Sequence, residues 1–265
     1  MRVAFVLSAL AGLASAETHP AWRLVPMAEI GYGYDGVAIE NSWTDGAGLN
    51  ASVGGQGTFY LPKEDSMGWA LGTELRGSML SGDLDGALTV PDGTPSGSSF
   101  SQTSFSGRVQ TGPFYRMFGL WGNSGGIFGI DYKTTEGDLK WEREDYALVF
   151  GLYTEIGADP WVREGVRVGL SAARIGGEQT WTKIFDEVDE AVVSDSSEWL
   201  TEGFEVRAGI EYWRGPAWAR LGGQMTSVDL RHRSGGEGSQ GESMSWTIGL
   251  TLGYRFACGN LAGFR

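Results

Sequence analysis

Residues 246–256 alternate without a break. Trp246, Ile248, Leu250, Leu252, Tyr254 and Phe256 fall on one side of an extended chain, and Thr247, Gly249, Thr251, Gly253 and Arg255 on the other. One face is wholly apolar with an aromatic at each end; the other is small and polar. Ten residues at about 3.4 Å each, tilted by about 40°, climb roughly 26 Å, close to the apolar band of roughly 25 Å on a membrane-spanning barrel. The stretch predicts a strand that crosses a bilayer, with Trp246, Tyr254 and Phe256 at the two interfaces.

Nine earlier segments carry the same period of two. The first, Leu24–Tyr34, sets Ala28, Ile30, Tyr32 and Tyr34 against Glu29, Gly31 and Gly33. The second is Leu49–Leu61, and the third, Trp69–Met79, opposes Trp69, Leu71, Leu75 and Met79 to Gly72, Glu74, Arg76 and Ser78. Shorter runs at Phe105–Thr111 and Ile127–Lys133 give the fourth and fifth. The sixth, Tyr146–Ile156, sets Tyr146, Leu148, Phe150, Leu152 and Ile156 against Gly151, Tyr153 and Glu155. The seventh alternates Val166, Val168, Leu170 and Ala172 with Arg167, Gly169 and Ser171. The eighth alternates Phe204, Val206, Ala208, Ile210 and Tyr212 with Glu205, Arg207, Gly209 and Glu211. The ninth, Ala217–Met225, places Arg220 and Gln224 inside. Residues 113–126 contain Phe114, Tyr115, Phe118 and Trp121 but no readable parity, which leaves eight, ten or twelve strands open.

The connections alternate too. Those after strands two, six and eight are short, and those after three, seven and nine are longer and polar, including 81–99 and 234–241. Short turns at one end and long loops at the other suit an antiparallel up-and-down transmembrane β-barrel of about ten strands with periplasmic termini. Arg2, the apolar run Val3–Leu13 and Ala14-Ser15-Ala16 read as a secretion signal over residues 1–16. The barrel then occupies 17–256, with a C-terminal tail at 257–265. No later run approaches the roughly 18 apolar residues that a transmembrane helix requires.

Composition narrows the chemistry. Glycine, at 43 residues, lies within the alternating segments, where it leaves room for large inward neighbours. The single cysteine, Cys258, excludes an internal disulfide framework and argues against a zinc-finger type of metal site. The net charge of −13 becomes −14 once Arg2 is removed with the signal. That charge disfavours nucleic acid as a partner.

On the pattern of residues 24–256 the chain resembles the Gram-negative outer-membrane β-barrel class. The resemblance implies a cell-surface protein, porin-like in architecture, with outer-membrane lipid and lipopolysaccharide around it. In that class a terminal aromatic strand is read by the barrel-assembly machinery, and Tyr254-Arg255-Phe256 is similar to that signal, although nine residues follow it. The expectation is a monomer with no cofactor and no metal. Trp69, Tyr146, Tyr212, Trp246, Tyr254 and Phe256 are the expected membrane girdle, and Trp161, Trp213 and Trp218 read as further anchors.

The inward positions carry Glu29, Glu74, Arg76, Arg108, Asp131, Lys133, Glu155, Arg167, Glu205, Arg207, Glu211, Arg220 and Arg255. Acids and bases nearly balance in a strongly acidic chain. Buried charges must pair, and a small barrel can be filled by its own side chains. These residues therefore read as a lumen charge network, with a structural role or a narrow conducting path as its consequence. The excess acid gathers at Glu178, Asp186, Glu187, Asp189, Glu190, Asp195, Glu198 and Glu202, with only Lys183 opposed. A solvated loop explains it better than a cation site, because no EF-hand spacing is present.

An alternative is a surface hydrolase using His232. Asp83 and Asp85 are similar to the Asp-x-Asp pair of omptins, ten-stranded surface proteases, which would set Asp229 and His232 as the facing pair. Omptins carry their second pair as Asp-x-His in the fourth external loop, whereas Asp229 and His232 are three apart near the fifth. His232-Arg233-Ser234 is similar to the His-x-Ser motif of lipid A 3-O-deacylases, which would make His232 and Ser234 catalytic residues. Such a site would need the histidine beside a carboxylate at the barrel mouth.

Overall fold

A computed structural model describes residues 21–39, 42–64, 67–85, 99–137, 141–184, 194–233 and 240–258. The strands are β1 (Ala21–Ile39), β2 (Ser42–Glu64), β3 (Met67–Asp85), β4 (Ser99–Met117), β5 (Leu120–Gly137), β6 (Trp141–Gly157), β7 (Glu164–Ile184), β8 (Ser194–Arg214), β9 (Ala217–His232) and β10 (Gln240–Tyr254), with a three-residue β11 (Phe256–Cys258). Each pairs antiparallel with its neighbours in sequence, and β10 closes on β1. β11 keeps the register of β10 against β1, with Gly253 opposite Met27 and Phe256 opposite Leu24. It is the same strand interrupted at Arg255, whose N–H turns aside to the carbonyl of Pro216. The protein is thus a closed ten-stranded antiparallel barrel, and pairing runs two residues past Phe256.

The register fixes the barrel's shape. Crossing from Met27 through Gly54, Arg76, Ser106, Asp131, Ala147, Gly177, Thr201, Leu230 and Gly241 returns to β1 at Ile39, twelve residues higher. A stagger of twelve residues at about 3.4 Å, over ten strands about 4.8 Å apart, gives a tilt of about 40° and a backbone diameter of about 20 Å. Each residue therefore climbs about 2.6 Å along the axis.

The strands outrun the apolar period that predicts them. Outward side chains are apolar between a lower ring containing Trp22, Trp69, Tyr115 and Phe256 and an upper ring containing Tyr32, Tyr132, Tyr146 and Trp246. With the register and tilt applied, the rings stand about 27 Å apart. Above the upper ring the outward positions of the same strands become polar: Ser101, Thr103, Glu136, Glu144, Glu202 and Asp229 are exposed there. An exposed apolar belt of this extent is incompatible with a water-facing surface. The belt is what the even–odd pattern detects; the polar extensions lack it.

Three sequence readings change. Residues 113–126 are a hairpin: β4 and β5 meet at a two-residue turn, with Phe118 at φ 54° and Gly119 at φ 78°. Both angles are those of a type I′ turn, which follows the twist of the flanking strands. Phe118 hides the turn because asparagine or glycine usually occupies that position. Second, Asp83 and Asp85 belong to β3, although residues 81–99 read as loop. Third, the acidic loop is shorter than its charge suggests. Glu178 and Lys183 lie in β7, and Asp195, Glu198 and Glu202 in β8; Asp186, Glu187, Asp189 and Glu190 lie outside the described residues.

Candidate functional site in the barrel lumen

Inward side chains stack in layers from the turn end, where β4–β5 and β8–β9 connect, to the loop end. Lowest is an aromatic layer. Tyr60, Ala70, Phe114 and Trp121 form one buried cluster, with Trp161 packed on it. Val25, Trp213 and Trp218 form another, flanked by Met27 and Ala158. The ring centroid of Tyr60 lies 4.6 Å from that of Trp161 and 6.3 Å from that of Trp121. Trp213 and Trp218 are buried inside rather than anchored in an outer girdle, because odd positions of β8 and even positions of β9 face inward. Trp161 likewise packs inward, on Tyr60 and Phe114.

Arginines knit this layer together. Arg167 stands 4.6 Å over the ring of Trp121 and 5.3 Å over that of Trp213. Arg116 lies 5.0 Å over Trp161 and pairs with Asp159 at 2.5 Å. The β6–β7 turn folds across the opening, and the chain's own donors hold it there. Arg255 donates to the carbonyls of Pro160 (3.1 Å) and Val162 (3.3 Å), and Trp213 Nε1 donates to Val162 (3.0 Å). A cation on an indole face in a desolvated site gains about 2 kcal/mol or more, so the layer is cohesive as well as apolar.

Next comes the charged layer, which most of the sequence-named charges share. Glu205 is its centre: it accepts from Arg108 Nη2 (3.1 Å), Arg207 Nε (2.8 Å) and Gln224 Nε2 (2.9 Å). Arg108 also grips Asp131 with both terminal nitrogens, each at 2.6 Å. Arg207 reaches Glu74 at 3.8 Å, and Arg76 pairs with Glu29, which also accepts from Thr251 at 2.6 Å. Lower down, Arg167 pairs with Glu155 at 2.9 Å, and Arg23 and Arg167 each approach Glu211 at 3.9 Å. Arg220 lines a small cavity of about 40 Å³ beside Glu211. Glycines make the room. A Cβ on Gly129 would sit 2.3 Å from Arg108 Cδ, and one on Gly209 would sit 2.7 Å from Arg220 Nε.

Above the charged layer is a cavity of about 160 Å³, lined by Asn50, Arg76, Gln102, Lys133, Arg207 and Thr226 among others. A second charge group closes over it. Lys133 bridges Asp35 (3.0 Å) and Asp145 (3.4 Å), Arg143 bridges the same two acids, and Gln179 donates to Asp145 at 2.5 Å. Val37, Trp181, Trp199 and Leu230 pack together above that group, and Arg143 lies 5.5 Å over the Trp181 ring.

Sequence reading reached the lower charges but missed Arg23, Asp35, Arg116, Arg143 and Asp145. All continue the inward parity of strands whose ends were drawn at the limit of the apolar period: Arg23 precedes Leu24, Asp35 follows Tyr34, and Asp145 precedes Tyr146. Extending each alternation past its last apolar residue would have found them.

The hydrolase residues are not brought together. Asp83 and Asp229 are exposed on the outer surface of β3 and β9, strands well separated around the barrel. His232 has the opposite parity to Asp229; it points inward, and its ring meets Trp199 edge-on at 4.9 Å. Asp85 ends β3 opposite Asp45 in the register. Ser234 lies outside the described residues. Among the described residues no group of three or more His, Cys, Asp or Glu could hold a metal ion. Of the expected girdle residues, Trp69, Tyr146, Tyr212, Tyr254 and Phe256 are exposed on the outer surface, and Trp246 stacks on Tyr34 at 6.0 Å.

The sequence matches no protein-family model and no curated protein. Its fold is similar to that of the outer membrane protease OmpT from Escherichia coli, 8% identical over 91% of this chain and 98% of that one, with a TM-score of 0.50. Lower scores relate it to the toluene transporter TodX of Pseudomonas putida (10% identity, 92% and 91% coverage, TM-score 0.39) and to Ail, the attachment invasion locus protein of Yersinia pestis (13%, 88% and 98%, 0.25). At 8% identity the likeness to OmpT is one of fold alone, an outer-membrane barrel.

Proposed function

We propose that this protein is an outer-membrane barrel of structural role whose lumen does not conduct. The single observation that carries the reading is the aromatic layer of Tyr60, Phe114, Trp121, Trp161, Trp213 and Trp218 across the turn end, tied to the β6–β7 turn by Arg116 and Arg255. A narrow porin-like path would have to pass both that layer and the Glu205-centred charges above it. Moving an ion through would break buried pairs, each loss costing about 3–5 kcal/mol. A barrel of about 20 Å across its backbone leaves an interior that side chains can fill.

In this reading the apolar belt faces outer-membrane lipid, the polar strand extensions stand among lipopolysaccharide head groups, and the short turns lie in the periplasm. Residues 1–16 act as a cleaved export signal, and Tyr254 and Phe256 on the outer face present the final strand to the barrel-assembly machinery. The chain works as a monomer without a cofactor. The omptin-like alternative is disfavoured, because Asp83 and Asp229 face outward while His232 points inward.

Osmotic swelling of proteoliposomes tests it. Vesicles carrying the mature protein are expected to swell in arabinose no faster than empty vesicles. Rapid swelling at ordinary protein-to-lipid ratios would overturn the sealed-lumen reading.

A further inference from the structure

The 160 Å³ cavity is not explained by a sealed structural barrel, since a lumen meant only to be filled need not stop at Arg76 and Arg207. We propose that this chamber, in the loop-end half of the lumen, is a binding site for a small neutral polyhydroxylated solute, of the size of a tetritol to a hexose.

Size comes first. A single water needs roughly 10–15 Å³, so the chamber has room for roughly a dozen. That matches the heavy atoms of a small polyol. The wall chemistry selects the class. Hydroxyls and amides recur around it: Asn50, Ser104, Thr226, Ser243, Ser245 and Thr247 all line the space. Hydroxyls both donate and accept, as a polyol's own hydroxyls do, so each contact can be satisfied in either sense. Asn50 adds an independent sign. It is 2% exposed, and its Nδ2 has no hydrogen-bond partner among the described residues. A buried amide donor without a partner is costly, and a solute hydroxyl would relieve it.

Charge excludes the other classes. The chamber's cations are already engaged: Arg76 by Glu29, Lys133 by Asp35 and Asp145, and Arg207 by Glu205 and Glu74. Asp131 is held by Arg108. An anionic or cationic solute would have to break one of these pairs and leave a buried charge behind, whereas a neutral polyol disturbs none. The indoles of Trp181 and Trp199 stand over the Lys133–Arg143 group.

The inference is separable from the sealed lumen. Binding in the upper chamber does not require passage, and passage through the lower layer would not require binding. The test is saturation-transfer NMR on the folded protein in detergent micelles, with glucose, gluconate and glucosamine as probes. Glucose is expected to give a saturable signal with a Kd of about millimolar, and gluconate and glucosamine to bind at least about tenfold more weakly. The near-isosteric double variant Asn50→Leu/Thr226→Val should weaken glucose by about tenfold. Heat-modified electrophoretic mobility verifies that the variant folds. Absence of a glucose signal, equal binding of gluconate, or unchanged affinity in the folded double variant would each overturn the proposal. The wild-type comparison of the three probes decides the matter even if the variant fails to fold.

Discussion

Replacing Glu205 by Gln probes the lumen network at its centre. The carboxylate is 1% exposed and accepts from three residues: Arg108 Nη2, Arg207 Nε and Gln224 Nε2. A neutral amide keeps the volume but removes the charge, and it must point its own donors at one or both guanidinium groups. Two charge-assisted bonds of about 1.5–3 kcal/mol each are weakened. Fallbacks limit the loss. Arg108 retains both bonds to Asp131, and Arg207 retains Glu74 at 3.8 Å. The expected destabilisation is therefore about 3 kcal/mol, the lower end for a broken buried pair. Urea unfolding in lipid vesicles, followed by tryptophan fluorescence, measures it. A double-mutant cycle with Arg207→Met adds a control, because the two losses should fall short of additivity by about 1 kcal/mol or more. A loss below about 0.5 kcal/mol, the size of an ordinary surface change, would refute the view that Glu205 holds the layer together.

Three further outcomes follow from the same geometry. Gly129→Ala places a Cβ 2.3 Å from Arg108 Cδ, so it should cost about 1–3 kcal/mol in the same unfolding assay. Leu152→Arg, on the outer face mid-belt and 70% exposed, should cost about 2–4 kcal/mol in lipid, whereas Ser101→Arg above the upper ring should cost less than about 1 kcal/mol; equal costs would contradict the placing of the belt. Phe118→Asn relieves an aromatic held at φ 54° and should stabilise the β4–β5 hairpin by about 1 kcal/mol, read as a higher urea midpoint.

The architecture was legible in the sequence because lipid imposes it. Side chains from Trp246 to Phe256 must alternate apolar with polar where one face meets hydrocarbon. The same rule exposed Glu74, Arg76, Arg207 and Glu211 as inward charges. It fails where lipid ends. Asp35, Arg143 and Asp145 sit on strand extensions whose outward positions are polar, so both faces look alike and the strands read as loop. It fails also at Phe118-Gly119, where a bulky residue fills a position that turn chemistry assigns to small ones. Trp213 and Trp218 misled in another way. Tryptophan next to a tight turn commonly marks a membrane interface, and only parity shows that these two face inward. The chamber above Arg76 and Arg207 has no linear signature, because its walls come one to four residues at a time from all ten strands.

The sealed lumen is tested most directly by planar-bilayer recording of the purified, refolded protein. It should give no steady conductance above the bare bilayer in molar salt. Steady ohmic channels from the wild-type protein would contradict the account.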